Sequence, residues 1–205
     1  GNVGSNKSRK LILISSYLCH PSMANNELSG PIMLSLLYEK ISKWKKRNYD
    51  YYFVINPESI GSICFLYKNG KKIKDKIESG LVLTCVGGPE KKLSYKKSRI
   101  GTSNLDRLFT QLAEEGECQI RNFDPAIGSD ERQYCSSEFN MPVGQICKSI
   151  YGTYAEYHTS GDNKKFVKLD KFIETSKKIE EYLKINDSLK PLIRKEPYCE
   201  IKLDK

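Results

Sequence analysis

Short, nearly uninterrupted apolar runs along this chain alternate with segments whose apolar residues recur at helical spacing. Strands are predicted at residues 10–18, 51–55, 80–86 and 141–146, and the first of them reads KLILISSYL. A strand that is apolar on both sides of its pleat must be covered on both faces of its sheet. Such strands alternating with helices predict an α/β fold, a three-layer α/β/α sandwich around a mixed, mostly parallel sheet.

The segments between these runs complete the predicted order of elements. Amphipathic periodicity predicts helices at residues 31–44, 60–68, 103–115 and 165–184. Residues 117–123 are predicted to form a strand, and residues 91–97 a strand or a loop. Two polar stretches, 124–138 and 151–163, are predicted to be loops.

The composition of the chain argues against several classes of function. The 205 residues suit a single domain with a substantial core. The net charge is +9, but the lysines are dispersed among 25 acidic residues and no known nucleic-acid-binding motif is present, so nucleic acid is not the expected partner. No apolar run approaches the length of a membrane span. The seven cysteines are odd in number and form no CxxC pair, which favours buried, reduced thiols in a cytoplasmic protein.

The chain has only two histidines, and both lie where chemistry is expected. His20 directly follows the first predicted strand, and His158 lies in the polar segment YAEYHTS. Ligand-binding loops of such folds follow the carboxyl ends of the parallel strands. Imidazole and carboxylate groups in those loops are suitable zinc ligands. A lone histidine is more often structural, but two at strand ends favour a metal site.

Five segments, CHPSMANNELSG, PESIGS, LTCVG, GSDERQYCS and EYHTS, together resemble the M28-type zinc aminopeptidase superfamily. The resemblance is greatest to its aminopeptidase-like, DUF4910-like branch and covers about residues 11–185. It implies the zinc-aminopeptidase (phosphorylase/hydrolase-like) fold and hydrolysis of a peptide or amide bond. It also implies that His20 is the first zinc ligand, His158 the last, and Glu58 the general base.

The sequence departs from the family pattern at three carboxylate ligands. The bridging aspartate is replaced by Asn26, the second residue of the Glu-Glu pair by Ser59, and the aspartate after the third strand falls near Cys85. Neutral side chains cannot balance two closely spaced divalent cations. We therefore expect about one bound zinc ion rather than a pair.

A carboxylate is needed to complete a site with His20 and His158. Asp130 is the first choice, and its alternative role is a hydrogen bond that orients a ligand. Glu131 and Glu27 are the other candidates, and Asn26 offers a weak carbonyl ligand.

The expected reaction uses metal-activated water, with Glu58 as general base and with Tyr134 or Tyr157 contacting the substrate. Both tyrosines have packing as the alternative role. Peptides or small amides are the expected substrates, and no membrane partner is expected. An amidase or deacylase acting on a modified sugar or small molecule, or a non-catalytic peptidase-like binding module, are the alternatives.

The resemblance also divides the chain into three parts. Residues 1–9 are expected to be a disordered or expression-derived N-terminal segment. Residues 10–186 are expected to form the aminopeptidase-like catalytic domain, and residues 187–205 a C-terminal tail. Since family members are longer, we expect the chain to be part of a larger protein.

Overall fold

The computed structural model describes residues 2–3 and 9–189, and the rest of the predicted terminal segments lies outside these ranges. The described strands are β1 (Asn2–Val3), β2 (Leu11–Tyr17), β3 (Asp50–Asn56), β4 (Ile77–Leu83), β5 (Leu93–Lys96), β6 (Cys118–Arg121) and β7 (Val143–Cys147). The described α-helices are α1 (Ser29–Ser42), α2 (Ile60–Ile73), α3 (Asn104–Glu114), α4 (Glu131–Tyr134) and α5 (Leu169–Ser188). A π-helical turn spans Ala24–Leu28, and a 3-10 turn spans Lys74–Lys76.

The strands form one mixed sheet in the order β1-β3-β2-β4-β7-β5-β6. Strands β3, β2, β4 and β7 are mutually parallel, whereas β1 pairs antiparallel with β3, and β5 pairs antiparallel with β7. Strand β6 runs parallel to β5 at the edge. The predicted α/β class and mostly parallel sheet are confirmed.

Two hydrophobic clusters lie on opposite faces of the sheet, as a three-layer fold requires. The larger cluster joins alternate β2 residues, such as Ile12 and Ile14, to helices α1, α3 and α5. The smaller cluster contains Leu13 of β2 together with Leu66 of α2 and Tyr134 of α4. Because successive side chains of a strand point to opposite faces, the run predicted as one apolar strand supplies both layers.

The main error in the predicted elements is the polar stretch at residues 124–138, which was predicted to be a loop throughout. Its central part forms α4, and Asp130, Glu131 and Tyr134 are all fully buried. The charges are tolerated there because each has hydrogen-bond partners inside the protein. Charged composition alone could not reveal those partners.

The last helix also differs from its predicted position. It was expected over residues 165–184 but spans Leu169–Ser188. Residues before it form turns instead: Asn163 Oδ1 accepts a hydrogen bond from the Lys165 N–H, and the Phe166 ring stacks on Tyr154 at a centroid distance of 5.2 Å. These local contacts replace the first helical turn.

Two predictions made from composition concern the state of the cysteines and the lack of a membrane-spanning helix. All six cysteines there are free, and Cys85, Cys118, Cys135 and Cys147 are buried as expected. Cys64 was expected to be buried between Ile63 and Phe65, but it is exposed on α2. No helix in the described ranges combines the length and apolar content needed to cross a bilayer. Cytoplasmic location stays a prediction.

Candidate functional site

Loops that follow the carboxyl ends of the four parallel strands carry the candidate residues. His20 lies in the loop after β2, Glu58 in the loop after β3, Cys85 after β4, and His158 in the long loop after β7. The strands are adjacent in the sheet, so these loops meet above one edge. The expected location of the site at this edge agrees with the general behaviour of open α/β sheets.

His20 is paired with a buried carboxylate. Its Nδ1 lies 2.6 Å from Oε1 of Glu27, whose side chain is 1% exposed. The other Glu27 oxygen, Oε2, accepts a hydrogen bond of 2.5 Å from the backbone N–H of Cys19. The Cys19 sulfur lies 3.3 Å from His20 Nδ1. The carboxylate that accompanies His20 is therefore Glu27.

The π-helical turn Ala24–Leu28 presents Asn26 and Glu27 to this site. Asp162 holds the start of the turn, because its carboxylate accepts hydrogen bonds from the backbone N–H groups of Asn25 (2.5 Å) and Asn26 (2.9 Å). Asp162 lies on the β7 loop and is fully buried. It ties the loops of the two histidines together, a role that the sequence spacing did not reveal.

His158 lies on the other side of Asn26. Its ring centroid is 5.0 Å from that of His20, and its Nε2 is 3.5 Å from the Asn26 amide nitrogen. The ring stacks on Tyr157 at 3.9 Å and 15°. Tyr157 is half-buried, and burial raises the pKa of its hydroxyl to about 12, so it stays protonated at neutral pH. The two histidines are thus brought together as expected, with Tyr157 beside them.

Glu58 lies on a sharp turn that Asp130 holds in place. Asp130 Oδ1 accepts hydrogen bonds from the Ser59 N–H (2.7 Å) and the Ser62 hydroxyl (2.9 Å), and Oδ2 accepts one from the Asn56 amide (3.1 Å). Ser59 has a φ of 57°, a conformation that costs energy in a residue with a Cβ. The Asp130 contacts therefore stabilise an unfavourable turn.

The same contacts bear on the role of Asp130. Burial raises the pKa of its carboxyl to about 6. Both oxygens are engaged with the Glu58 turn, and Asp130 is not among the donor atoms grouped around His20 in the described residues. This arrangement favours the positioning role over direct metal binding. Glu58 itself is half-buried and accepts a 2.6 Å hydrogen bond from the Ser129 hydroxyl.

Two other candidates lie in the protein interior. Glu131 forms a buried ion pair with Lys96 at 2.8 Å and also accepts hydrogen bonds from the Ser129 N–H. Tyr134 is fully buried, and its hydroxyl lies 2.9 Å from that of Ser15 on β2. This burial favours packing, the alternative role of Tyr134, and its contact with a substrate stays a prediction.

Neutral groups fill the region in which the resemblance implied further metal carboxylates. The Asn26 amide oxygen accepts from the Tyr17 hydroxyl at 3.2 Å and from the Cys85 thiol at 3.4 Å. The Cys85 sulfur also lies 3.6 Å from the Tyr154 hydroxyl. Burial raises the pKa of Cys85 to about 12, which keeps the thiol neutral. The Asn26 amide and the Cys85 thiol therefore bring no negative charge to this region.

The donor set near His20 fits one metal ion. Ligand atoms of Cys19, His20 and Glu27 lie within 4.8 Å of one another. His158 is outside this group, with its ring centroid 5.0 Å from that of His20. Nitrogen, sulfur and carboxylate oxygen are the donors that zinc prefers. Cys19 was not considered as a ligand from the sequence, although its position directly before His20 was the available signal.

Comparisons with known proteins agree with the fold. The family model described as "Domain of unknown function (DUF4910)" matches residues 2–188. A protein of Clostridium acetobutylicum, provisionally named as a polysaccharide biosynthesis protein with an aminopeptidase-like domain, is 37% identical over 196 residues. The match covers 95% of this chain and 44% of that protein, so the chain spans less than half the length of this relative.

Solved structures show the same architecture. A crystal structure from Clostridium acetobutylicum, provisionally described as a peptidase, has a TM-score of 0.83 and 34% identity, and the match covers 95% of this chain and 46% of that one. A zinc aminopeptidase from Bacillus subtilis has a TM-score of 0.72 and 11% identity, covering 93% and 49% of the two chains. The latter similarity extends to the fold alone.

Proposed function

We propose that this chain, which belongs to the family described as a domain of unknown function, DUF4910, is a metal-dependent hydrolase that cleaves a peptide or amide bond, as aminopeptidases do. One observation carries the proposal: two histidines and a buried carboxylate converge beside the turn that carries the half-buried Glu58, whose N–H contacts the Cys19 sulfur at 3.4 Å. His20 and Glu27 lie 2.6 Å apart, and the His158 ring is 5.0 Å from the His20 ring. The name of the C. acetobutylicum relative supports the same class.

The proposed cofactor is a single zinc ion, held by His20, His158 and Glu27. Glu27 takes the place that the sequence reasoning preferred for Asp130, because the Asp130 oxygens already bind the Glu58 turn. When bound, zinc lowers the pKa of water and polarises the carbonyl of the substrate. The neutral surroundings of Asn26 support one ion rather than two.

The residues of the chain have separate roles in the proposed reaction. Glu58 takes a proton from the attacking water and later gives it to the leaving amine. The Ser129 hydroxyl donates to Glu58 Oε1 and so keeps the other carboxylate oxygen available for proton transfer. The Tyr157 hydroxyl, which stays protonated at neutral pH, donates a hydrogen bond to the oxygen that becomes negatively charged.

The test combines metal content with hydrolysis of aminoacyl amide substrates by the full chain. We expect about one zinc per chain, lost in His20→Ala and His158→Ala. Glu58→Gln should keep its zinc but lose about 10²–10⁴-fold in rate, whereas the exposed Glu138→Gln should match the wild type. Absence of bound zinc after reconstitution, or unchanged activity in Glu58→Gln, would contradict the proposal and favour a non-catalytic binding module.

An amidase or deacylase acting on a modified sugar is the second candidate. The name of the C. acetobutylicum relative joins polysaccharide biosynthesis to an aminopeptidase-like domain, which favours this possibility. The same zinc and Glu58 would act on either substrate. Parallel assays with aminoacyl amides and N-acylated amino sugars separate the two, because only the preferred class should be hydrolysed rapidly by the wild type and lose that rate in Glu58→Gln.

A further inference from the structure

A cysteine thiol lies within the group of donor atoms around His20. The Cys19 sulfur is 3.3 Å from His20 Nδ1 and 3.9 Å from Glu27 Oε1. We propose that Cys19 is a ligand of the metal ion, with its sulfur bound as a thiolate beside the imidazole and the carboxylate. The inference rests on the proposed function, because it concerns the ion proposed there.

The distances between the three donor atoms suit a common ion. Zinc bonds of about 2.0–2.3 Å place neighbouring donors of a tetrahedral site about 3.3–3.6 Å apart. The two distances from the Cys19 sulfur, 3.3 and 3.9 Å, are close to this range. The distance from His20 Nδ1 to Glu27 Oε1 is 2.6 Å, a hydrogen-bond length. It would have to open by roughly 0.7 Å when the shared proton is replaced by an ion.

Two backbone contacts keep the Cys19 sulfur near this position. The Cys19 N–H donates to Glu27 Oε2 at 2.5 Å, and the Glu58 N–H donates to the Cys19 sulfur at 3.4 Å. The second contact links the thiol to the turn that carries the proposed general base. A small rotation of an exposed side chain, rather than a change in the fold, is then sufficient to adjust the sulfur.

The charge around Cys19 favours a cation. The Glu27 carboxylate lies 3.9 Å from the Cys19 sulfur. A positive charge between a thiolate and a neighbouring carboxylate stabilises both. With His158, the ion would have four protein donors, whereas open catalytic zinc sites use three, so the attacking water would have to add as a fifth donor or displace one of the four.

Cobalt(II) provides a test that does not depend on activity, because a thiolate bound to cobalt gives a sulfur-to-metal charge-transfer band in the near ultraviolet. The full chain is titrated with cobalt, and bound metal is measured separately by equilibrium dialysis. We expect the band to saturate at one equivalent in the wild type and in Cys64→Ser, and to be absent in Cys19→Ser. Zinc affinity of Cys19→Ser should fall by roughly 100-fold, since even partners outside the ligand set contribute about 10–100-fold.

Alkylation of the unmodified protein gives a second measurement. Cys19 and Cys64 are the two exposed cysteines of the described ranges, so Cys64 is an internal control. Stoichiometric zinc should protect Cys19 from iodoacetamide and leave the alkylation rate of Cys64 unchanged, as followed by peptide mass spectrometry.

The outcomes separate the two proposals. One equivalent of cobalt bound through His20 without a charge-transfer band, and with Cys19 still alkylated, would overturn the role of Cys19 and leave the hydrolase proposal intact. No metal bound to the wild type would overturn both. A band that survives in Cys19→Ser would assign the sulfur ligand to another cysteine and would also refute the inference.

Discussion

Replacing Glu131 by glutamine is expected to destabilise the folded chain strongly. Glu131 is fully buried and lies 2.8 Å from the Lys96 ammonium, whose side chain is 2% exposed. Lys96 also donates to the backbone carbonyl oxygens of Asp124 and Ile127. Glutamine has nearly the same shape as glutamate, so the main effect of the change is to leave the buried ammonium without its counter-charge.

The size of the effect follows from this burial. Removing one partner of a buried ion pair costs about 3–5 kcal/mol of unfolding free energy. The two carbonyl contacts of Lys96 remain, so we expect the lower end, about 3 kcal/mol. With a urea dependence of about 2–3 kcal/mol per molar, the unfolding midpoint should fall by about 1–1.5 M.

The assay is urea unfolding followed by far-ultraviolet circular dichroism, together with zinc content. Glu39→Gln is the control, because its partner Lys43 and Glu39 itself are both exposed, and it should unfold like the wild type. The double variant Lys96→Met with Glu131→Gln should recover part of the loss, because it removes the unpaired charge. If Glu131→Gln unfolds like the wild type but loses zinc, Glu131 is a metal ligand and our structural interpretation is wrong.

Two further predictions concern the turn at Asp130 and the packing of α1. Burial raises the pKa of Asp130 from 3.8 to about 6 in the folded chain, so folding favours its protonated form. Its contribution to stability is therefore greatest below about pH 4 and falls by up to about 3 kcal/mol as the pH rises through 6. Urea midpoints should show this decline in the wild type relative to Asp130→Asn, and equal slopes would exclude Asp130 as its origin. In Gly30→Ala, the new Cβ would lie 2.5 Å from the Leu83 carbonyl oxygen, and we expect the unfolding free energy to fall by about 1–3 kcal/mol. The control Ser35→Ala, at an exposed position, should stay within about 0.5 kcal/mol of the wild type in the same assay. A Gly30→Ala variant as stable as the wild type would mean that α1 can move away from β4.

The parallel centre of the sheet was predictable because its strands carry their own signal. Apolar runs such as KLILISSYL are compatible with a strand covered on both faces, and the structure has β2 at Leu11–Tyr17. The segment around Glu131 carried no such signal. Its charges resemble those of a solvated loop, and the burial of Glu131 depends on Lys96 of β5, which lies 35 positions away in the sequence.

The candidate site was predictable to a similar extent. His20 and His158 both follow the ends of parallel strands, and their ring centroids lie 5.0 Å apart, as this placement predicts. The choice between Asp130 and Glu27 could not be made from spacing, since the sequence places each of them in a polar segment that follows a predicted strand. It depends on which donors surround each carboxylate, and Asp130 is engaged by the turn that carries Glu58.

The proposed metal donors differ greatly in how far apart they lie along the chain. Cys19 and Glu27 are 8 positions apart, so one short loop brings them together at a small cost in chain entropy. His158 is 132 positions from its neighbour Asn26, and the position of its loop depends on the pairing of β7 with β4. The site therefore combines donors that a short loop links with an imidazole that only the topology of the sheet brings near. A change that weakens the pairing of β7 with β4 would remove the second imidazole and leave the local donors together.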